Sequence, residues 1–340
     1  MKKTILIIAS VLSLFVSISL RANDIIIKVA KWGKGNFNTI QAAINSVELN
    51  NKNNIIIQIA AGVYEEKIFL KKSNIQFKGA GIGKTIITQS IARDIWRCVH
   101  SDDWGVATFN IDSCADISFS NLTIQNDYGF KNKEEQTFPC LSDSAGSKLV
   151  KATGHQMAFR SFMATKIKFI NCRFAAFGGD TMSPWNTKDG MFYFYNCIIE
   201  GGVDFYCPRG WAYAENCTFI THSGPAAIWH DGSLVQDAKT VLVNCTFKGY
   251  DGFKLGRYHR DAQFYLINCH FAANMSNEDI YLVPTTNTIQ WGRRVYYFNC
   301  KKENQMAGFY TNNLTSAPGN PSANQINAAW VFNNKWNPTK

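Results

Sequence analysis

Six stretches in the second half of the chain read alike: FINCRF (169–174), FYNCII (194–199), AENCTF (214–219), LVNCTF (242–247), LINCHF (266–271) and YFNCKK (297–302). Each carries an Asn-Cys pair, at Asn171-Cys172, Asn196-Cys197, Asn216-Cys217, Asn244-Cys245, Asn268-Cys269 and Asn299-Cys300. Successive Asn residues are 25, 20, 28, 24 and 31 positions apart. A repeat of this length implies a stacked, quasi-one-dimensional fold in which each unit covers its neighbour. Ahead of each pair runs a short stretch of β-branched and aromatic residues, as in Lys166-Ile167-Lys168-Phe169-Ile170, so the unit is built of strands. Asn then marks a turn, where it tolerates left-handed backbone.

Several strands per coil, stacked in parallel, predict an all-β, right-handed parallel β-helix. In such a stack the Asn side chains form a ladder and the Cys residues an interior column. Earlier coils keep the strand pattern without the pair, as in Ile56-Ile57-Gln58-Ile59, Thr85-Ile86-Ile87-Thr88 and Ser118 to Ile124. One helix is expected, over Phe37 to Asn50. Ile40, Ala43, Ile44 and Val47 fall on one face, and Asn38 or Thr39 caps its start. An open solenoid end needs a cover, and this short helix suits the amino-terminal one. The aromatics of the Asn/Gly/Pro-rich tail, Trp330, Phe332 and Trp336, are expected to pack the tail onto the barrel side.

The chain has 340 residues and a formal charge of +10. Lys2 and Lys3 precede an apolar run from Ile5 to Leu20 and then Arg21-Ala22, the pattern of a secretory leader. An uncleaved anchor is the alternative, for which the run is short. The reading is a signal peptide over 1–22 and a single domain over 23–340, secreted or periplasmic. Loss of Lys2, Lys3 and Arg21 takes three charges from the +10 and leaves +7, which suits a polyanionic partner. No nucleic-acid module appears, and an acidic polysaccharide fits export better. A monomer with no membrane contact after leader cleavage is expected. Ten Cys in an exported chain suggest disulfides. Six of them share one place in successive coils, however, where Cys serves as a small buried hydrophobe. Cys98 and Cys140, in loops, are the better pair for a bridge. No Cys/His spacing supports a metal site.

Gln156, Asp180 and Asp204 lie 24 and 24 residues apart, one coil each, and Arg257 follows Asp204 by 53. Regular coils would stack these side chains on one face, about 4.8 Å apart. Stacked carboxyls repel, which favours one charged and one neutral group. An ionised Asp beside a protonated one offers a nucleophile and a general acid. Arg257 would hold the ionised group and Gln156 would donate to an oxyanion. Turn-stabilising Asp residues of a solenoid are the structural alternative.

Several segments together resemble carbohydrate esterase family 8, the pectin methylesterases, over about Ala30 to Trp336. Gly35 to Ile44, Gly62-Val63-Tyr64-Glu65-Glu66-Lys67 and Gly79 to Thr85 resemble the family's opening segments. His155-Gln156-Met157-Ala158-Phe159-Arg160 resembles its Gln-Ala box, Gly179-Asp180-Thr181-Met182 its QDTL, Gly201-Gly202-Val203-Asp204-Phe205 its G-x-VDF, and Leu255-Gly256-Arg257 its LGR. The resemblance implies a secreted enzyme acting on methyl-esterified pectic polysaccharide without a cofactor. Asp204 would attack the ester, Asp180 would serve as acid and base, Arg257 would orient Asp204, and Gln156 would stabilise the oxyanion. Two departures stand out. Gly179 replaces the family's Gln, removing one oxyanion donor that Thr181, His155 or a backbone N–H would have to replace. Tyr258-His259 replaces its Pro-Trp, leaving either residue to pack against a sugar.

Phe159, Trp185, Tyr206, Trp211, Trp229 and Trp291 are candidates for stacking on sugar rings, although aromatics also fill the core of such a fold. Asn126 to Ala152 reads as an insertion forming a lobe beside the cleft. Competing functions are a pectate lyase or polygalacturonase, a non-catalytic pectin-binding β-helix, and an esterase for another pectic ester such as acetyl. The first lacks support in an Asp-rich Ca²⁺ cluster or an NTD or GHG pattern.

Overall fold

A computed structural model describes residues 24–230 and 232–339. The expected leader lies outside the described residues. The chain winds as a right-handed parallel β-helix with three faces. The longest face is a 10-stranded sheet running from Asp24–Val29 to Val295–Phe298. A second face has nine strands, from Gly62–Tyr64 to Lys301–Lys302. The third is broken into a four-stranded and a three-stranded sheet. Met182–Trp185 ends the first and Ala226–His230 begins the second. Between them Tyr206 makes single bridges to Met182 and Ile228.

Register follows from like residues stacking. Phe77, Phe119, Phe169 and Phe194 are Cα partners in successive coils. Their rings stack at 5.0, 5.3 and 4.8 Å inside the barrel, each wholly buried. The six paired cysteines form the expected column, all buried and free. The six Asn residues before them all take left-handed backbone, with φ between 50° and 54°. Neighbouring amides bond directly: Asn196 donates to Asn171 at 2.7 Å, Asn299 to Asn268 at 2.9 Å and Asn268 to Asn244 at 3.2 Å.

The capping helix α1 spans Ile40–Ser46, shorter than the apolar pattern suggests. Thr39 accepts from the Ala42 N–H, and the Glu66 carboxylate takes the Ile40 and Gln41 N–H groups at 2.9 and 3.0 Å. Val47 turns extended and stops the helix, while Lys72 donates to the carbonyls of Ile44, Asn45 and Val47. Charge of the right sign at each end fixes so short a helix. Ile40, Ala43 and Ile44 are buried against the first coil, as a cap requires. At the other end of the chain, Trp330, Phe332 and Trp336 pack on the outer side of the long sheet with Tyr213, Tyr265 and Tyr296.

The 126–152 insertion forms a lobe. It holds a short helix, Tyr128–Lys131, and an antiparallel pair, Gln136–Pro139 with Ser147–Val150. A Cys98–Cys140 disulfide ties it to the helix α2, Arg93–Arg97. This is the bridge expected from their loop positions.

Candidate active site

Beside the break in the third face lies a cleft of about 840 Å³. Asp180 and Asp204 stand in it, Asp180 directly after Gly178-Gly179 and Asp204 after Gly201-Gly202-Val203. A Cβ on Gly178 would come within 1.7 Å of the Gly154 carbonyl oxygen, so the coils approach here only because the side chain is absent. Both Asp residues then adopt left-handed backbone, with φ of 56° and 51°, a conformation Asp tolerates better than most residues. This local turn swings both carboxyls out of the regular strand pattern.

Arg257 approaches from Lys254–Tyr258 and grips Asp204 with two hydrogen bonds, Nε to Oδ1 at 3.0 Å and Nη2 to Oδ2 at 2.6 Å. Trp229, its Cα partner in the preceding coil, lies under the guanidinium at 5.1 Å. His155 Nδ1 stands 3.2 Å from Asp180 Oδ2. The thiol of Cys207 points at Asp180 Oδ1 from 3.7 Å.

The electrostatics act differently on the two acids. Burial alone would raise the Asp180 carboxyl. The hydrogen bond from His155, with the charges of His155, Arg209 and Arg160, outweighs it and brings the group down to about 2. Burial pushes Asp204 above its ordinary value, the Arg257 bonds pull the other way, and the charge of Asp180 adds to the rise. His155, Arg209 and Arg160 act on Asp180, while Arg257 and, more weakly, His155 act on Asp204. Even so, both Asp204 oxygens accept from a guanidinium that keeps its protons, a geometry that fits the anion. With Asp180 held ionised as well, neither carboxyl is the standing proton donor that the sequence pattern suggested.

The other expected site residues divide sharply. Trp185 lines the cleft, its ring 4.4 Å from the Arg209 guanidinium. Trp229 lines it too, with His259 against its edge at 4.6 Å. Phe159, Tyr206 and Tyr258 do not. Phe159 and Tyr206 are wholly buried in the core, and Tyr258 is buried against Phe264. Trp291 belongs to a different hollow, beside Gln263 and Arg294. Trp211 is buried under the tail.

Gln156 also turns inward. It is fully buried, accepting from the Gly129 N–H at 2.9 Å and donating to the Ala152 carbonyl at 2.5 Å. It shares a coil position with Asp180 but lacks the left-handed turn, so its side chain stays with the strand pattern and enters the protein. His155, one residue earlier, faces the cleft instead, since neighbours on a strand point to opposite sides. Thr181 is buried as well, so it offers no donor to the cleft. A Cβ on Gly179 would meet the Val203 carbonyl at 2.7 Å, leaving no room for the side chain expected there. His155 itself bridges to Gly179 across the coils.

Sequence reasoning found Arg257 but missed the four other arginines beside it. Arg93, Arg97, Arg160, Arg209 and Arg257 all line the cleft. Asp103 ties three of them together, meeting Arg93 at 3.0 Å, Arg160 at 3.3 Å and Arg97 at 3.8 Å.

A family model described as Pectinesterase matches residues 26–166. Probable pectinesterase 55 of Arabidopsis thaliana is 28% identical over 250 residues, covering 68% of this chain and 66% of that protein. Probable pectinesterase 29 of the same plant is 29% identical over 243 residues, covering 67% and 64%. Over these stretches the chain is similar to pectinesterases. The matched part spans less than two thirds of those relatives' length. Among solved structures, the pectin methylesterase PemA from Erwinia chrysanthemi superposes with a TM-score of 0.71 at 20% identity, over 92% of this chain and 98% of that one. A pectin methylesterase in complex with a hexasaccharide gives 0.69 at 20%, again over 92% and 98%. At that identity the agreement concerns the fold, and the chain shares the parallel β-helix along nearly its whole described length.

Proposed function

We propose that the chain hydrolyses the methyl esters of galacturonate units in pectin, releasing methanol and leaving carboxylates. The Asp204–Arg257 pair, set in an open cleft beside a second carboxyl, carries the reading. An Asp gripped by a fixed guanidinium has its charge preserved and its oxygens oriented for attack on an ester carbon. Asp180 serves the departing methanol as acid, and then the incoming water as base. The tetrahedral intermediate gains a negative charge in a cleft bearing five arginines, which favours it over the neutral ester. Trp185 and Trp229, half-exposed at the cleft, offer faces for sugar rings.

Pectin fits as the substrate because it is a polyuronate, drawn to a basic protein whose formal charge of +10 becomes +7 once Lys2, Lys3 and Arg21 leave with the leader. Export is part of the proposal. A Cys98–Cys140 bridge is suited to an oxidising compartment, as is the amino-terminal leader pattern.

The test is methanol release from highly methylated pectin by the leader-free protein and by Asp204→Ala. The parent is expected to release methanol without shortening the polymer, and the variant to lose at least about 10⁴-fold. Binding without release by the parent would leave only a pectin-binding solenoid.

A further inference from the structure

Both carboxyls of the site fit the anionic form, yet methoxide needs a proton to depart. The structure holds a third group that can carry one. His155 is exposed at the cleft, with Nδ1 3.2 Å from Asp180 Oδ2. Resting on the methylesterase reading above, we propose that His155 stores the catalytic proton and supplies it through Asp180 to the leaving methanol. His155 thus acts through another residue, and its part is supply rather than contact with the ester.

The step balances. An Asp204 oxygen bonds to the ester carbon and the carbon–methoxy bond breaks. A proton first passes from His155 Nδ1 to Asp180 Oδ2, leaving a neutral imidazole, and the carboxyl so formed gives it to the methoxy oxygen. Water then bonds to the acyl carbon and the bond to Asp204 breaks. One water proton passes to Asp180 and returns to His155. The other leaves with the product acid.

The surroundings suit a group that gains and loses charge. The hydrogen bond to Asp180 lifts the imidazole above its ordinary value and outweighs the partial loss of hydration at the cleft wall. The charges of Asp180 and Asp204 raise it further, and Arg93, whose N–H bonds the His155 carbonyl, lowers it. Arg160 and Arg209 act on the partner, Asp180. A raised imidazole is protonated at and below its own pKa and empties as pH rises through it. The relay therefore predicts a rate that falls on the alkaline side, above about 6.5, the ordinary imidazole value. The absence of a side chain at Gly179 fits the same arrangement. Its Cβ would stand 3.7 Å from His155 Cγ, in contact with the ring.

Two measurements test the relay. The first is the pH dependence of methanol release by the parent and by His155→Gln, which keeps a polar group beside Asp180 but cannot titrate. The expected result is a kcat about 100-fold lower and loss of the alkaline fall. An unchanged alkaline limb in the variant would overturn the proposal. The second needs no turnover: an NMR titration of His155 in the parent and in Asp180→Asn. A His155 value above the ordinary one in the parent, dropping in the variant, is expected. A value at or below the ordinary one in the parent would overturn the pair. Should the parent release no methanol from any methylated pectin while His155 still titrates high, the ester reading fails and the proton pair stands.

Discussion

Two corners of the same coil use the same backbone conformation for opposite ends. Along one, Asn171, Asn196, Asn216, Asn244, Asn268 and Asn299 take left-handed φ and stack coil upon coil. Beside the cleft, Asp180 and Asp204 take the same φ in successive coils. An amide carries both donor and acceptor, so a column of identical amides satisfies itself. A carboxylate has only acceptors, so a column of them demands cations from elsewhere. The ladder therefore bonds to itself as structure, between Asn171 and Asn196 and from Asn244 through Asn268 to Asn299. The cleft draws in Arg257, His155, Arg160 and Arg209 and is left with charge that can act on a ligand. One change of atom at the turn residue, nitrogen for oxygen, separates a scaffold edge from a reactive one.

The sharpest way to break that comparison is to remove the cation. Arg257→Ala should lower kcat/KM about 10²- to 10³-fold, the scale of truncating one partner of a buried, hydrogen-bonded charge pair. The pH dependence gives the mechanism. Burial and the charge of Asp180 already raise Asp204, and only Arg257 and, weakly, His155 oppose them. Without Arg257 the nucleophile should stay protonated to higher pH, so the acid limb of kcat/KM moves up. Arg257→Lys, which keeps charge but not the two-point grip, should fall between. An acid limb that stays put in Arg257→Ala would mean that Arg257 does not govern the charge of Asp204.

The stack was legible because its signal repeats. Six Asn-Cys pairs measure the coil five times, and each Phe of the interior ladder has a like residue in a neighbouring coil. The carboxyl pair and Arg257 were legible for the same reason, through coil spacing. What spacing does not encode is which way a side chain leaves the coil. Gln156 stands one coil from Asp180, yet only Asp180 has the left-handed turn, so Gln156 is buried against the 126–152 lobe and His155 faces out. Phe159, Tyr206 and Tyr258 illustrate the same ambiguity among aromatics. The arginines of α2 were hidden for another reason. They reach the cleft through the Asp103 contacts and beside the Cys98–Cys140 bridge, pairings over distance that no repeat announces.

A smaller effect should follow from moving cleft chemistry onto the ladder. In Asn196→Asp the amide that donates to Asn171 at 2.7 Å becomes an acceptor facing an acceptor. The position is exposed, so water softens the penalty to about 1 kcal/mol. The sign with pH is definite. The new carboxyl is charged and repelled at neutral pH, and protonated and able to donate below about pH 4. Urea midpoints should therefore differ from the parent at pH 7 and converge as pH falls. Asp180 and Glu200, both brought down to about 2, contribute stability that is present above their unfolded values and is lost only as pH falls toward 2. A gap that widens on acidification would show that amide pairing is not what the ladder contributes.

The smallest expected effect separates the two things a ladder Asn provides, a turn and a hydrogen bond. Asn244 has φ of 54° and accepts from Asn268 at 3.2 Å. Asn244→Gly and Asn244→Ala both delete the bond, but only Ala must hold a Cβ in left-handed backbone, at a cost of about 1 kcal/mol. Ala should thus unfold at lower urea than Gly, with both below the parent. Equal midpoints would assign the whole effect to the amide column. A Gly variant as stable as the parent would assign it to the backbone. The second result would sharpen the contrast with the cleft: the Asn column would then be chosen for its turn, whereas at Asp180 and Asp204 the turn exists to present the side chain.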